Sequence, residues 1–451
     1  MTVMDLAQKT VVIVGLGDSG VAASLLALAK GAARVRGTDS SPEDKLSPAA
    51  RSLSSKGVQI VTGRQDAAVF EGASLVVVSP GVPPMGVLDQ VRARGAEVIG
   101  ELEFASRFVS APVVAIGGTN GKSTTTALVH HMLASAGKKA FVGANFGVPL
   151  STAAAGATSF EALVLEVSSF QMERAPTFHP QVAAFLNVTE DHLDRYPSFD
   201  AYVAAKGNMF VNQTPDDVAV VPKGDTRALR EAHRGEGRTV TFGPGGDVGP
   251  DQEGTAIVDR LREHRYPIDA IRLRGAHNML NVAAAIACAS EAGAKPEAIA
   301  LALSKFEGLA HRTAFVSEIA GVRYYDDSKG TNVGASVSAL RGLSEPRVVL
   351  IAGGRDKQGT YGPLVRELAK KGRALVLIGE ASARIAEAAG GAVTTVRAST
   401  MDEAVTLAKS LARAGDAVLL SPACSSFDMF KDYKDRGDAF VRAVRAAKET
   451  G

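Results

Sequence analysis

The chain has 451 residues, too many for one hydrophobic core, and its 46% apolar and 22% charged content is that of a folded protein, not a disordered or fibrous one. A formal net charge of +2, with basic residues spread along the chain, sets aside nucleic acid and anionic membranes as main partners while leaving room for a local phosphate site. The two cysteines, Cys288 and Cys424, lie far apart and outside any Cys-x-x-Cys or Cys/His cluster. That pattern argues against a disulfide scaffold and structural zinc, and both thiols are expected to be reduced and buried.

Short β-branched runs alternate with Ala/Leu-rich amphipathic stretches, which predicts an α/β chain of parallel sheets and crossover helices. In the first third the expected strands are Thr10–Val14, Val35–Thr38 and Leu75–Ser79, with a helix over Gly20–Lys30. Gly15 and Gly17 interrupt the first apolar run, which is therefore not a signal-peptide core. No apolar stretch approaches the ~18 residues needed to span a bilayer, so a cytoplasmic protein is expected. The turn Gly15-Leu16-Gly17-Asp18-Ser19-Gly20 follows the first strand, and Asp39 ends the second. This spacing matches the dinucleotide fingerprint, but its physical content is narrower. The turn accommodates a diphosphate, and Asp39 can accept hydrogen bonds from a ribose or a base. NAD or another diphosphate-bearing ligand would satisfy it.

A joint is expected near Gly100, ahead of Pro112. Beyond it the strands are Val113–Ile116, Ala162–Val167, Val182–Asn187 and Val218–Val221, and the helices Lys122–Ala136, Phe199–Val211 and Asn278–Ala292. The first of these strands runs into Gly118-Thr119-Asn120-Gly121-Lys122-Ser123-Thr124 and then a helix. Glycines let backbone N–H groups converge on phosphate oxygens, and the helix N-terminus adds a favourable dipole. Lys122 would reach the outer phosphates of a nucleoside triphosphate and the Ser123 hydroxyl would ligate Mg²⁺. Ile116 stands where the usual loop has its first glycine. Glu166 ends a buried strand, where parallel sheets bind ligands, and Asp191 and His192 follow the next strand. The three are expected to line one crevice with the phosphate loop. Lys206 reads as a solvated lysine on an amphipathic helix. His277, Asn278 and Asn281 share a helix face, either toward a site or as a capping cluster. Gly235–Gly254 reads as a surface loop or irregular hairpin.

A second joint follows Phe306-Glu307-Gly308-Leu309. The alternation then resumes with strands Val348–Ala352, Ala374–Ile378, Val393–Val396 and Ala417–Ser421.

Together these segments resemble the Mur ligases of peptidoglycan synthesis. The resemblance runs nearly end to end, through the phosphate loop, Glu166-Val167-Ser168-Ser169-Phe170-Gln171, Asn187-Val188-Thr189-Glu190-Asp191-His192, Gly275-Ala276-His277-Asn278 and His311-Arg312. Asp327-Ser328-Lys329-Gly330-Thr331-Asn332, Gly353-Gly354-Arg355-Asp356-Lys357 and Leu420–Asp428 are similar to the members that add D-glutamate to UDP-N-acetylmuramoyl-L-alanine. The resemblance implies a three-domain chain: a Rossmann-like UDP-substrate domain (1–100), a central P-loop ATPase-like domain with a mostly parallel sheet (101–308), and a Rossmann-like amino-acid domain (309–451). It further implies ATP, two Mg²⁺ ions and an acyl-phosphate intermediate. The expected chain is a monomer without nucleic-acid partners or membrane insertion.

Residue by residue, the resemblance implies that Lys122 and Ser123 bind the γ-phosphate and one Mg²⁺, with Glu166 completing that metal site and His192 ligating the second ion. Lys206 would be carbamylated, which turns a repelling ammonium into an anionic oxygen ligand. Asn278 and Asn281 would contact adenine, Arg312 and Asp327 the ribose and phosphates, and Lys329 the transferring phosphoryl charge. Asp18, Ser19, Asp39, Ser79, Gly81 and Asn145 would serve the UDP substrate, and Ser168 and Gln171 would be further substrate residues. Thr331, Lys357, Ser426 and Tyr433 would serve D-glutamate. Two departures stand out: Ser40-Ser41 where a basic residue often follows the acidic one, and Tyr433 where an apolar aromatic is familiar. Folylpolyglutamate synthase shares the ATP loop but lacks a UDP-binding first domain. The diaminopimelate-adding member carries an Asp-Asn-Pro-Arg tetrad that this chain lacks. A NAD-binding regulatory protein would explain only the first third.

Overall fold

The computed structural model describes residues 4–191, 195–273, 275–356 and 360–449, without the side chains of Ala276 and His277. His192 and Lys357 therefore lie outside the described residues. Three α/β domains are each built on one sheet. Chain contacts divide the molecule into two compact units. One comprises Met1–Asn187, Val203–Pro267 and Val282–Ala302; the other comprises Val188–Tyr202, Ile268–Asn281 and Leu303–Gly451.

In the first unit, the N-terminal sheet contains β1 Thr10–Val14, β2 Arg34–Asp39, β3 Val58–Thr62, β4 Leu75–Val78 and β5 Glu97–Gly100, ordered β3-β2-β1-β4-β5. Every pairing is parallel. Val11–Val14 are fully buried, as expected of a parallel strand covered on both faces. The strand order reverses at β1, so the crevice beyond its carboxyl end is where ligands of this architecture sit.

The central sheet contains β6 Val113–Gly117, β7 Ala140–Ala144, β8 Ala162–Glu166, β9 Val182–Phe185, β10 Val218–Pro222, β11 Arg238–Phe242, β12 Val248–Pro250, β13 Ala256–Asp259 and β14 His264–Pro267. Their order is β14-β13-β12-β11-β10-β9-β6-β8-β7. It is parallel as far as β12 and antiparallel across β12–β13–β14. Of the two readings of Gly235–Gly254, the surface loop is corrected, while the β12–β13 pair does turn as a hairpin at its end. The tract holds β11 and β12, joined by a tight Gly-rich turn in which Asp247 accepts from the Thr241 N–H at 2.7 Å. Gly243 and Gly245 take positive φ there. A Cβ on Gly249 would stand 1.9 Å from the Gly243 carbonyl oxygen, so the glycines permit close strand approach and do not signal an open loop. The helix expected over Phe199–Val211 stops at Gly207, after which Phe210 and Val211 make i→i+3 turns.

In the second unit the strands are β15 Ala314–Ile319, β16 Val322–Asp326, β17 Val348–Gly353, β18 Gly372–Ile378, β19 Thr394–Arg397 and β20 Ala417–Leu420, ordered β15-β16-β20-β17-β18-β19. Among the described strand pairs of this sheet, only the β15–β16 hairpin is antiparallel. Its two-residue turn, Ala320-Gly321, has positive φ at both positions, the primed geometry that matches strand twist. The core on either side of this sheet is aliphatic, with Val348–Ala352 and Ala417–Leu420 fully buried. Both cysteines are buried and not in a disulfide. No described helix is long and apolar enough to cross a membrane.

Candidate active site

In the N-terminal sheet the glycine turn sits at the carboxyl end of β1. Gly15 has φ +84°, and a Cβ on Gly20 would stand 1.8 Å from the Gly15 carbonyl oxygen. Only glycine allows the helix Asp18–Ala29 to start so close to the turn. Asp39, from the end of β2, accepts from the Leu16 N–H at 2.8 Å and the Ser41 N–H at 2.9 Å. Ser79, just past β4, donates to the Gly15 carbonyl at 2.8 Å. Both side chains thus brace the turn that Asp18 and Ser19 leave as the first helical residues. Gly81 lies in the following tight turn, closed by the Val82 N–H on the Ser79 carbonyl at 3.1 Å.

The phosphate loop leaves the carboxyl end of β6. Gly118 and Gly121 have φ +133° and +84°, and the helix Lys122–Ser135 begins at once. Asn187 holds this loop through three hydrogen bonds. Its carbonyl accepts from the Thr119 N–H, its Oδ1 accepts from the Asn120 N–H, and its Nδ2 donates to the Asn120 carbonyl, each at 2.9 Å. This residue carried no role in the sequence reading beyond ending a strand. The available signal was an asparagine at the carboxyl end of a central parallel strand. Thr124, in the first helical turn, is buried.

Glu166, 3% exposed at the end of β8, joins the loop to the neighbouring strand. The fully buried Ser123 hydroxyl donates to Glu166 Oε2. Asn145 Nδ2 donates to Glu166 Oε1 at 2.6 Å, and its backbone N–H to the Glu166 carbonyl at 3.0 Å. The preceding Ala144 has φ +72°, a conformation costly for a residue with a Cβ and therefore held by its surroundings. Ser168 and Gln171 form a reciprocal capping box on the helix Ser169–Met172. Two lysines also meet the loop: Lys122 Nζ donates to the Thr119 carbonyl at 2.8 Å, and the buried Lys206 Nζ to the Gly118 carbonyl at 2.7 Å. Lys206 is therefore a buried group aimed at the loop and not a solvated one. Among the described residues, no group of three or more His, Cys, Asp or Glu side chains is arranged to hold a metal.

In the second unit, Asn281 Nδ2 donates to Asn278 Oδ1 at 3.2 Å across one helical turn. Asp191 accepts from Asn332 Nδ2 at 3.2 Å, while Asn332 Oδ1 caps the helix Val333–Gly342. Arg312 stands between two non-glycine residues of positive φ, His311 at 60° and Thr313 at 49°. Each flank is tied to one of two adjacent carboxylates at the end of β16. His311 Nδ1 lies 2.6 Å from Asp326 Oδ2, and the Thr313 N–H donates to Asp327 Oδ1 at 3.1 Å. Asp327 Oδ2 also accepts from the Ser421 hydroxyl at 2.6 Å. Burial pushes the Asp327 carboxyl up to about 7, against the lowering pull of Ser421 and the Arg312 charge.

Lys329 Nζ donates to the Tyr433 hydroxyl at 3.1 Å and lies 4.4 Å from its ring centroid. The Thr331 N–H donates to the Lys329 carbonyl at 2.8 Å, and Ser426 is buried where two following N–H groups turn back onto its carbonyl. Arg436, absent from the sequence reading, is fully buried and donates to Ser328 and Cys424. Burial pushes its guanidinium down to about 10, so it keeps its charge at neutral pH.

Residues 9–100 match the Mur ligase MurD-like N-terminal domain, 116–289 the Mur ligase middle domain, and 311–424 the Mur ligase glutamate ligase domain. The UDP-N-acetylmuramoylalanine–D-glutamate ligase of Trichlorobacter lovleyi is 43% identical over 447 residues, covering 98% of this chain and 100% of the relative. The enzyme of that name from Pelobacter propionicus is 44% identical over 451 residues, covering 98% and 100%. Among solved structures, the MurF ligase from Thermotoga maritima in complex with ADP aligns at TM-score 0.64 and 15% identity over 99% of both chains. The pseudomurein peptide ligase type C from Methanothermus fervidus aligns at TM-score 0.64 and 18% identity, over 98% of this chain and 100% of the other. Those two share the fold. With the three domain matches in chain order and relatives this similar along almost its whole length, the chain belongs to the Mur ligase family.

Proposed function

We propose that this chain is an ATP-dependent ligase that joins D-glutamate to UDP-N-acetylmuramoyl-L-alanine by an amide bond, acting in the cytoplasm as a monomer. The observation that carries the reading is the phosphate loop whose Ser123 hydroxyl is bonded to Glu166, in a chain like D-glutamate ligases from end to end. With boundaries near Gly100 and Gly308, the first domain takes the UDP substrate, the central one ATP and the last one the amino acid.

The chemistry follows from a carboxylate being a poor electrophile. Its oxygen attacks the γ-phosphorus, the bond to ADP breaks, and an acyl phosphate forms. The deprotonated amine of D-glutamate then forms the C–N bond as the C–O bond breaks and phosphate leaves. What remains for the protein is positioning and neutralisation of charge. Lys122, at a helix N-terminus, serves the outer phosphates, and Lys329 the phosphoryl charge as it moves. Asn278 and Asn281 serve adenine; Arg312 and Asp327 serve ribose and phosphates. Asp18, Ser19, Asp39, Ser79, Gly81 and Asn145 orient the UDP substrate, with Ser168 and Gln171 as further substrate residues. Thr331, Lys357 and Ser426 hold D-glutamate.

Ser123 and Glu166 present a hydroxyl and a carboxylate, hard oxygens of the kind Mg²⁺ prefers, and both are buried beside the loop. They would hold one ion, and His192 with a carbamylated Lys206 would hold the second. Bound Mg²⁺ neutralises phosphate charge and polarises the phosphoryl group. A carbamate on Lys206 supplies oxygen ligands and keeps one N–H to donate to the Gly118 carbonyl, so the bond seen at 2.7 Å is compatible with it.

The test is an amino-acid panel scored by phosphate release with ATP and UDP-N-acetylmuramoyl-L-alanine. D-glutamate should exceed L-glutamate, L-lysine and diaminopimelate by about a hundredfold in kcat/KM, a difference that paired carboxylate contacts can supply. Equal or better rates with another amino acid would overturn the substrate assignment. Tight NAD binding without phosphate release would overturn the ligase reading.

A further inference from the structure

The first turn of the helix Tyr433–Glu449 meets the segment carrying Lys329 at two levels. At the backbone level, Arg436 Nη2 donates to the Ser328 carbonyl at 2.8 Å and its Nε to Ser328 Oγ at 3.0 Å. Its Nη1 reaches the Cys424 carbonyl at 3.1 Å. Ser328 Oγ passes the connection on by donating to the Tyr433 carbonyl at 2.8 Å. The Lys329 N–H donates to the His311 carbonyl at 3.1 Å, so both polar groups of the peptide unit entering Lys329 are fixed, and on its far side the Lys329 carbonyl accepts from the Thr331 N–H at 2.8 Å. The helix comes this close because residue 437 is glycine: a Cβ there would stand 2.2 Å from His311 Nδ1.

At the side-chain level, Lys329 Nζ returns to the same turn. It donates to the Tyr433 hydroxyl at 3.1 Å and lies 4.4 Å from the ring centroid. The Tyr433 ring also meets that of His311, edge-on at 6.3 Å. Lysine is a flexible point charge, and a charge must be placed before it can stabilise a transition state. A phenylalanine at 433 would keep the ring face for the cation but lose the hydroxyl.

We propose that Tyr433 acts through Lys329, as a positioning residue whose hydroxyl holds the ammonium in the rotamer used in phosphoryl transfer. The inference rests on the reading of Lys329 given above.

The test is a double-mutant cycle on the full chain with steady-state kinetics and thermal unfolding. Tyr433→Phe should lower kcat about tenfold, the expected loss for one charge-assisted hydrogen bond, with each KM within about twofold and an unchanged unfolding midpoint. Lys329→Gln should fall much further, and adding Tyr433→Phe to it should cost nothing more. A Tyr433→Phe enzyme with kcat within about twofold of the parent, beside a crippled Lys329→Gln, would overturn the inference and leave the function standing. So would a raised KM for D-glutamate alone, or a loss that persists in the Lys329→Gln background. A fully active Lys329→Gln enzyme would instead overturn the reading of Lys329 itself.

Discussion

Replacing Lys122 with alanine should lower ATP-dependent phosphate release by about a thousandfold or more while UDP-N-acetylmuramoyl-L-alanine binding changes only a fewfold. Lys122 opens the helix Lys122–Ser135, and its half-buried side chain turns back on the loop, its ammonium 2.8 Å from the Thr119 carbonyl. On the proposed reading, removing it takes a full charge from the place where phosphoryl charge is neutralised. The turn proposed to take the UDP substrate belongs to a different sheet, braced by Asp39 and Ser79, and has no reason to change. Calorimetric titration with the UDP substrate and a phosphate-release assay read the two effects separately. Loss of both would mark a misfolded protein, and activity within about tenfold of the parent would contradict the assignment of the loop.

The second large effect is at Lys206. Alanine there should reduce activity by about a hundredfold to a thousandfold, with partial recovery when formate or acetate is added at high concentration. The two roles open to this side chain predict opposite rescues. As a carbamate it provides anionic oxygen, which a small carboxylate can replace. As a plain ammonium it only donates to the Gly118 carbonyl, which a small alkylamine can replace. Recovery with ethylamine and none with acetate would refute the carbamate role. The buried setting of Lys206, at 4% exposure, leaves a cavity in the alanine variant that could admit either additive.

The parts of the fold that could be read from the sequence were those with one strong cause. β1, β6, β8, β17 and β20 are runs of β-branched and aliphatic residues buried on both faces, and their expected ends agree with the observed ones to within one residue. The missed strands have mixed causes. β3 and β11 are half-buried, with exposed or polar positions interleaved, and β12 is three residues long inside a glycine-rich tract. The β15–β16 turn places Ala320 at positive φ, where the usual signal would be Asn or Gly. The candidate site divides in the same way. Lys122, Ser123 and Glu166 announce themselves because glycine spacing and strand ends point at them. Asn187 and Arg436 do not, because their importance comes from partners distant in sequence: Asn187 bonds Asn120 across 67 residues, and Arg436 bonds Ser328 across 108. Lys206 is intermediate, since spacing alone suggested solvent and only the closeness of Gly118 shows burial against the loop.

The central claim is that the substrate carboxylate is activated as an acyl phosphate, and its direct test follows the carboxylate oxygens. UDP-N-acetylmuramoyl-L-alanine carrying heavy oxygen in its carboxylate is turned over with ATP and D-glutamate, and the released phosphate is analysed by mass spectrometry or phosphorus NMR. The account predicts one heavy oxygen in every phosphate released and the other in the new amide carbonyl. Phosphate free of heavy oxygen, formed at the rate of amide formation, would contradict it.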